Sequence, residues 1–415
     1  MSMNEINPQE VYRAEGEIKI RIVEGEILVS GGLRKKGEEI VIPRAKSVPV
    51  EGVTRARVEC ILGPNGKWEK LPERTIPREW ETLIDEIKKK RPRSVLVMGT
   101  VDVGKTFFTT YLGNTLLQEG IKAAVVDTDV GQADVGPPTV MGLGVFEKPV
   151  ALLYEVPVKS AYFVGSMSPS GHLLEFVTGI KWLVERGMKL GDLVIVNTPG
   201  WVMGGPGRCM QFYSRELINP DLIIALQRKD ELEHVLKTAS PSKIRRLPVS
   251  TRVRPRNPNE RAEIRALLLR RYFENSGKIV LNLERVRFER SYFRTGQEVD
   301  PREFGGEVIY AEKMPEGPLL VVNRCSDEKM EELRSKFPSA RIIVKGMEEN
   351  MLVGLVDDNN EFIGLGIVEK IDYVGKKMTV ITPIKDPMEV CAVQIGSMKI
   401  TPEGREVGTI RPGTF

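Results

Sequence analysis

Val95-Leu96-Val97-Met98-Gly99-Thr100-Val101-Asp102-Val103-Gly104-Lys105-Thr106 is the stretch that decides the fold. Its four leading apolar residues read as a strand buried on both faces, as in a parallel sheet covered by helices. Gly99 to Thr106 then fits GxxxxGK[ST]. Glycines at that spacing let the backbone wrap tightly, so that several N–H groups face one phosphate. A helix predicted from about Lys105 to Gln118 aims its positive end at the same point. Gly120 is placed to end that helix. In this pattern Gly99, Thr100, Val101, Asp102, Val103, Gly104, Lys105 and Thr106 cradle a nucleoside triphosphate. Lys105 reaches its β- and γ-phosphates, and the Thr106 hydroxyl is a ligand for Mg²⁺. A Gly-rich turn that binds nothing is the competing reading, and the position between a strand and a helix argues against it.

Working outward, further apolar runs read as buried strands: Ala123-Ala124-Val125-Val126-Asp127, Leu193-Val194-Ile195-Val196-Asn197 and Leu222-Ile223-Ile224-Ala225-Leu226. Helical stretches separate them. Alternation of this kind predicts an α/β, mostly parallel sheet wrapped on both faces, a P-loop NTPase domain. A phosphate loop needs a carboxylate at the end of a neighbouring strand. Asp127-Thr128-Asp129-Val130-Gly131-Gln132 supplies two, and alternation puts Asp127 and Asp129 on one side. One suits the metal or its waters, and the other suits accepting a proton from an attacking hydroxyl. Which does which stays open, and either could instead cap the next turn. No guanine-specifying NKxD string occurs. The nearest, Arg228-Lys229-Asp230, lacks the Asn and the spacing, which favours ATP over GTP.

The flanks read differently. Glu17-Ile18-Lys19-Ile20-Arg21-Ile22 and Glu39-Ile40-Val41-Ile42 alternate with period two, and Gly31-Gly32 and Gly63-Pro64-Asn65-Gly66 punctuate them. These are half-buried strands of a small β domain. Trp80, Leu83, Ile84 and Ile87 lie at helical spacing. Beyond Gly305, runs such as Leu319-Leu320-Val321-Val322 and Met378-Thr379-Val380-Ile381-Thr382 are strand-like again, with one helix over Asp327 to Lys336. The expected organisation is a β-rich domain at 1–75, a P-loop domain at 76–295 with a lid near 250–273, and a mostly β domain at 296–415.

The chain has 415 residues, 61 of them Lys or Arg and 57 Asp or Glu, a net charge of +4. That excludes a polycation but permits a local basic groove. Cys60, Cys209, Cys325 and Cys391 form no CxxC pair, so a zinc knuckle or disulfide framework is not expected, and they read as buried small hydrophobes. No apolar run is long enough to cross a bilayer, so no membrane partner is expected. The N-terminus, MSMNEINPQE, lacks a basic-then-apolar signal, which predicts residence in the cytosol.

Three strings together resemble a known family. Asp102-Val103-Gly104-Lys105-Thr106, then Asp127 to Gln132, then Asn197-Thr198-Pro199-Gly200-Trp201, are similar in order and spacing to the polynucleotide 5′-hydroxyl-kinases. That family includes the RNA kinase of pre-mRNA 3′-end cleavage and tRNA splicing. β-Rich domains on both sides of the P-loop core fit it, and a prokaryotic or archaeal-type member is expected. The resemblance implies transfer of the ATP γ-phosphate to the 5′-hydroxyl end of RNA, DNA or both, with Mg²⁺. It implies that Lys105 grips phosphate, Thr106 binds metal, Asp129 activates the hydroxyl and Trp201 clasps the nucleic-acid end. Thr198 and Gln132, in the same strings, are expected on the nucleic-acid side. It also implies a lid with two arginines, and Arg256 and Arg261 occupy the matching positions. A guanidinium can bond two equatorial oxygens of the transferred group at once.

The residues agree where they can be read alone. A Trp just past a strand's carboxyl end can stack a base without reading its identity; core packing is its ordinary alternative. For Arg256 and Arg261 the alternative is a solvated basic helix. Ser166-Met167-Ser168-Pro169-Ser170-Gly171-His172 resembles another family segment near the substrate. The loop begins Gly99-Thr100 where many relatives have Gly-Pro, a change in stiffness rather than chemistry. Two other functions compete: a nucleotide-holding scaffold among RNA-processing proteins, and a kinase or ATPase of a small metabolite.

Overall fold

The computed structural model describes residues 2–251, 253 and 257–415. It divides into two compact units. One comprises Met1–Gly136, Val140–Ala161 and Leu173–Ile264; the other comprises Pro137–Thr139, Tyr162–His172 and Arg265–Phe415.

The first unit opens with two antiparallel sheets. One orders Ser2–Ile6, Ala56–Leu62, Ile18–Glu24 and Glu39–Ile42; the other orders Gly32–Lys35, Glu26–Val29, Ser47–Gly52, Val11–Glu15 and Lys67–Leu71. Alternation sets the buried face: Ile18, Ile20 and Ile22 are buried while Arg21 is exposed. Ile6, Ile20 and Val58 of one sheet share a core with Ala14, Ile27 and Val50 of the other. The helix Arg78–Lys90 follows and buries Trp80, Leu83, Ile84 and Ile87, the four residues whose spacing predicts it.

Next comes a seven-stranded sheet in the order Val158–Phe163, Val140–Val145, Ala123–Asp127, Leu193–Asn197, Ser94–Gly99, Leu222–Gln227, Ile244–Pro248. The five strands from Ala123–Asp127 to Ile244–Pro248 are parallel, and Val140–Val145 pairs antiparallel with Ala123–Asp127. Every residue of the four apolar runs singled out in the sequence is buried. Helices need both faces of such a sheet, which is why these strands carry no polar alternation. From Ser94–Gly99 the chain crosses to Ala123–Asp127 on one side, and from Leu193–Asn197 it crosses to Leu222–Gln227 on the other. The reversal opens a crevice at the carboxyl ends of the central strands. The phosphate loop, both acidic residues and Asn197 all sit at those ends.

The second unit contains a sheet path ordered Gly277–Asn282, Lys377–Thr382, Phe362–Asp372, Met351–Val356, Ala392–Ile400, Arg287–Glu289, and a four-stranded sheet ordered Gln297–Val299, Val308–Lys313, Leu319–Val322, Arg341–Val344. The helix Asp327–Lys336 lies where the sequence places it. The domain limits differ from the expectation. The expected P-loop domain runs to residue 295. Gly277–Asn282 instead pairs with Lys377–Thr382, and Arg287–Glu289 with the start of Ala392–Ile400. Strand partners about a hundred residues downstream leave no local trace in sequence. The N-terminal sheets likewise cluster with the P-loop core rather than apart from it. Of the four cysteines only Cys60 is buried, and Cys209 is exposed, so the hydrophobe reading holds for one of them. Among the described residues no helix is long and apolar enough to cross a membrane.

Candidate active site

The phosphate loop turns sharply because of two glycines. Gly104 caps the helix Lys105–Gln118 with φ +89°, a left-handed conformation that favours glycine. Gly99 leaves no room for a side chain: a Cβ would lie 2.5 Å from Val103 and 2.8 Å from the Leu226 carbonyl oxygen. Asp102, at φ +55°, is left-handed without being glycine. Two arginines hold it there. Its carboxylate accepts from Arg261 Nη2 at 2.6 Å, and its carbonyl accepts from Arg228 Nη2 at 2.9 Å.

Lys105 is 7% exposed, and its Nζ donates to the Thr100 carbonyl at 2.7 Å. The side chain thus folds back over its own loop. Burial pushes the ammonium pKa down to about 8, against the opposing pull of Asp129, Asp102 and Asp127 in that order.

Asp127 ends its strand and is 1% exposed. Its Oδ2 accepts from the backbone N–H of Asp134 at 2.7 Å and of Val135 at 3.1 Å. Its Oδ1 accepts from Asn197 Nδ2 at 3.0 Å and from the N–H of Asp129 at 3.3 Å. Burial, reinforced by the neighbouring Asp134 charge, nevertheless raises its pKa to about 7. Asp129 accepts from the N–H of Gln132 at 3.2 Å, and burial raises its pKa while the Lys105 charge pulls the other way. The two carboxylates therefore differ. Asp127 is spent on holding the 127–135 turn, while Asp129 faces Lys105 electrostatically.

Between the acidic strand and the phosphate loop stands Asn197, whose Nδ2 also lies 3.3 Å from Thr106 Oγ1. Among the described residues no cluster of three His, Cys, Asp or Glu side chains forms a metal cage. The donor set still fits Mg²⁺. The Thr106 hydroxyl and the Asp129 carboxylate are hard oxygen ligands, Asp127 stands behind them, and Mg²⁺ usually keeps waters and phosphate oxygens for its remaining positions.

The turn after Asn197 touches the loop directly. A Cβ on Gly200 would lie 2.6 Å from the Val101 nitrogen and 2.8 Å from its Cα. Thr198 is buried and its hydroxyl donates to the Val97 carbonyl at 2.8 Å. The hydroxyl proton is thus committed to the adjacent strand. Trp201 is half-buried, with Gly207 of the helix Gly204–Ile218 packed so close that a Cβ there would lie 3.2 Å from the indole nitrogen. Gln132 is half-buried in the turn beside Asp129. Of the two lid arginines, Arg261 meets the loop through Asp102, and Arg256 lies outside the described residues. His172 belongs to the second unit, where Nε2 pairs with Ser397 Oγ at 2.7 Å.

The family described as mRNA cleavage and polyadenylation factor CLP1 P-loop matches residues 99–275. A polyribonucleotide 5′-hydroxyl-kinase of Pyrococcus abyssi is 30% identical over 351 residues, covering 81% of this chain and 96% of that protein. The chain belongs to this family, as an archaeal-type member. A polyribonucleotide 5′-hydroxyl-kinase of Thermococcus kodakarensis is 32% identical over 345 residues, again 81% of this chain and 96% of the relative. The fold is shared with the solved structure of a Clp1p–Pcf11p complex, at TM-score 0.66 and 13% identity over 96% of this chain and 97% of that one. The family match begins at the first residue of the phosphate loop and takes in both acidic residues, the Thr-Pro-Gly-Trp turn and the arginine segment.

Sequence reasoning passed over three residues here. Asn197 appears in a quoted string but with no role; an amide ending an otherwise apolar strand was the available signal. Gly200 and Arg228 gave none, because their partners Val101 and Asp102 are about a hundred or more positions away.

Proposed function

We propose that the chain is an ATP-dependent polynucleotide 5′-hydroxyl-kinase that phosphorylates RNA ends and that its working groups are those gathered at the crevice. What carries the reading is the convergence, at the carboxyl ends of three adjacent strands, of Lys105, Thr106, Asp127 and Asp129 with a turn that packs Gly200 against Val101 and presents Trp201. The relatives' names supply the chemical class, since both are polyribonucleotide 5′-hydroxyl-kinases.

In this mechanism the loop amides and Lys105 hold the triphosphate. Lys105 must first leave the Thr100 carbonyl, which a phosphate oxygen replaces as its acceptor. Asp129 takes the proton of the incoming 5′-hydroxyl. Burial raises its proton affinity, which favours a base. The 5′-oxygen then forms its bond to the γ-phosphorus as the bond to the β,γ-bridging oxygen breaks, leaving ADP. Trp201 stacks the terminal base and Gln132 lines the acceptor side. Arg256, together with Arg261 once it turns from the Asp102 carboxylate, neutralises charge on the transferred group. Thr106, with Asp127 behind it, would hold Mg²⁺, which when bound draws charge from the phosphate oxygens. Catalysis is then positioning plus charge neutralisation.

The test is incubation of the purified chain with γ-labelled ATP and 5′-hydroxyl oligonucleotides of RNA and of DNA. Label should appear on the RNA 5′ end, and comparison with DNA sets the strand preference. ATP bound without transfer to either strand would sink the kinase reading and favour a nucleotide-holding scaffold among RNA-processing proteins.

A further inference from the structure

Asn197 closes the strand Leu193–Asn197, which lies between the strand that feeds the phosphate loop and the strand that ends in Asp127. The register pairs it with Val97 on one side and Asp127 on the other. It is 1% exposed. Its backbone carbonyl accepts two bonds from Thr128, from the N–H at 3.0 Å and the hydroxyl at 2.8 Å. Its side-chain N–H groups face Thr106 Oγ1 at 3.3 Å and Asp127 Oδ1 at 3.0 Å. With Asp127 ionised, turning the amide over would press its oxygen against the carboxylate, two acceptors with no proton between them. The orientation with Nδ2 toward Asp127 is the one that suits the charged carboxylate. It leaves Oδ1 buried with no hydrogen-bond partner among the described residues. A buried acceptor without a partner costs about 1–3 kcal/mol, so such an atom calls for a donor supplied from outside the protein.

We infer that Asn197 is a positioning residue for the metal–nucleotide complex: its amide sets the Thr106 hydroxyl and the Asp127 carboxylate in fixed relation, and its Oδ1 accepts a hydrogen bond from a water of the bound cation. This rests on the kinase reading of the same crevice and adds a residue that reading does not use. One short side chain links the loop hydroxyl to the acidic strand. A Mg²⁺ ion at Thr106 keeps several waters, each with protons to donate. Groups that orient metal ligands in this way typically matter about 10–100-fold in metal affinity or activity. A purely structural amide would stabilise the strand ends equally with or without the cation.

The experiment is calorimetric binding of ADP to the full chain, with and without Mg²⁺, for wild type and Asn197→Ala. Thermal unfolding is measured alongside. Without the cation the variant should bind within about twofold of wild type, because the loop amides and Lys105 remain. With Mg²⁺ the gain in affinity that the cation adds should shrink about 10-fold or more. In a Thr106→Val background, Asn197→Ala should cost little further, since the group it orients is gone. If the Mg²⁺ gain is unchanged in Asn197→Ala, if the loss is equal in both conditions, or if the two substitutions add in full, the inference is overturned. Asn197→Ser, which keeps a small polar group at the strand end, gives the same reading should the alanine variant fold poorly. The two ideas separate cleanly. A wild type that binds Mg·ADP but phosphorylates no end sinks the kinase reading alone. An active wild type whose Mg²⁺ gain survives Asn197→Ala sinks only the role given to Asn197.

Discussion

The two walls of the crevice are built on different principles. On the phosphate side the groups are anchored by contacts from several segments, and Lys105 and Asp127 are buried. Gly104 and Asp102 hold left-handed turns, Arg228 and Arg261 pin Asp102, Lys105 is 7% exposed and Asp127 accepts four N–H groups. On the acceptor side the contributions are single side chains. Trp201 is half-buried and leans on one glycine, and Gln132 sits in a short turn. A triphosphate has constant geometry and high charge, so a rigid array of amides suits it. A polynucleotide end varies in base, and a stacking ring tolerates that variation. The contact between Gly200 and Val101 is where the rigid wall fixes the adaptable one.

The sharpest way to break this contrast is at the rigid wall. Lys105→Ala should lower phosphoryl transfer by about 10²–10³-fold or more, the scale of losing one pre-set electrostatic contact. Circular dichroism and thermal unfolding should stay near wild type. Transfer that survives would remove the phosphate loop from the mechanism. Next is the joint between the walls. Gly200→Ala forces a Cβ to within 2.6 Å of the Val101 backbone. Overpacking of this kind costs about 1–3 kcal/mol, read as a lower unfolding midpoint together with weaker ADP binding. A variant unchanged in both would show that the turn does not set the loop.

On the adaptable wall, Trp201→Ala should weaken oligonucleotide binding by about 1–3 kcal/mol, the loss of one stacked base. ATP affinity should hold. An equal fall in both would assign Trp201 to packing. The smallest effect is a fraction of a proton. Burial holds the Lys105 ammonium near a pKa of about 8. A bound phosphate favours the charged form and raises that value. Nucleotide binding should therefore take up protons above pH 8 and lose that uptake below pH 7, measured by calorimetry in buffers of different ionisation enthalpy. The same sign governs stability. Lys105 has its folded pKa below the unfolded 10.5, so the unfolded chain binds more protons between pH 8 and 10.5. The penalty for burying the ammonium is eased as pH rises through that window. Proton release in place of uptake at pH 9 would contradict the burial of Lys105.

Much of the site was legible because its signals are local. Gly99 to Thr106 is one continuous string, and Asp127 with Asp129 lies two residues apart at a strand end. The helices at Arg78–Lys90 and Asp327–Lys336 follow from spacing and composition within a single turn or two. What the sequence does not show is non-local. The string around Thr198 gives no sign that Val97, a strand away, takes its hydroxyl proton. Residues 277–295 read as the tail of the P-loop domain until their strand partners near residues 377–382 and 392–394 are known. The difference between Asp127 and Asp129 is invisible in a string where they look equivalent.

The chain's own order of residues settled the phosphate loop, the parallel sheet that carries it and the family strings. Backbone conformation and apolar periodicity depend on neighbours a few positions apart. Tertiary structure alone decided which carboxylate is consumed in holding a turn, that Asn197 links Thr106 to Asp127, and that Gly200 must be bare where it meets Val101. The last two turn on contacts between segments about 70 to 100 residues apart, which exist only once the strands are side by side; the first turns on how the chain folds back on itself within residues 127–135.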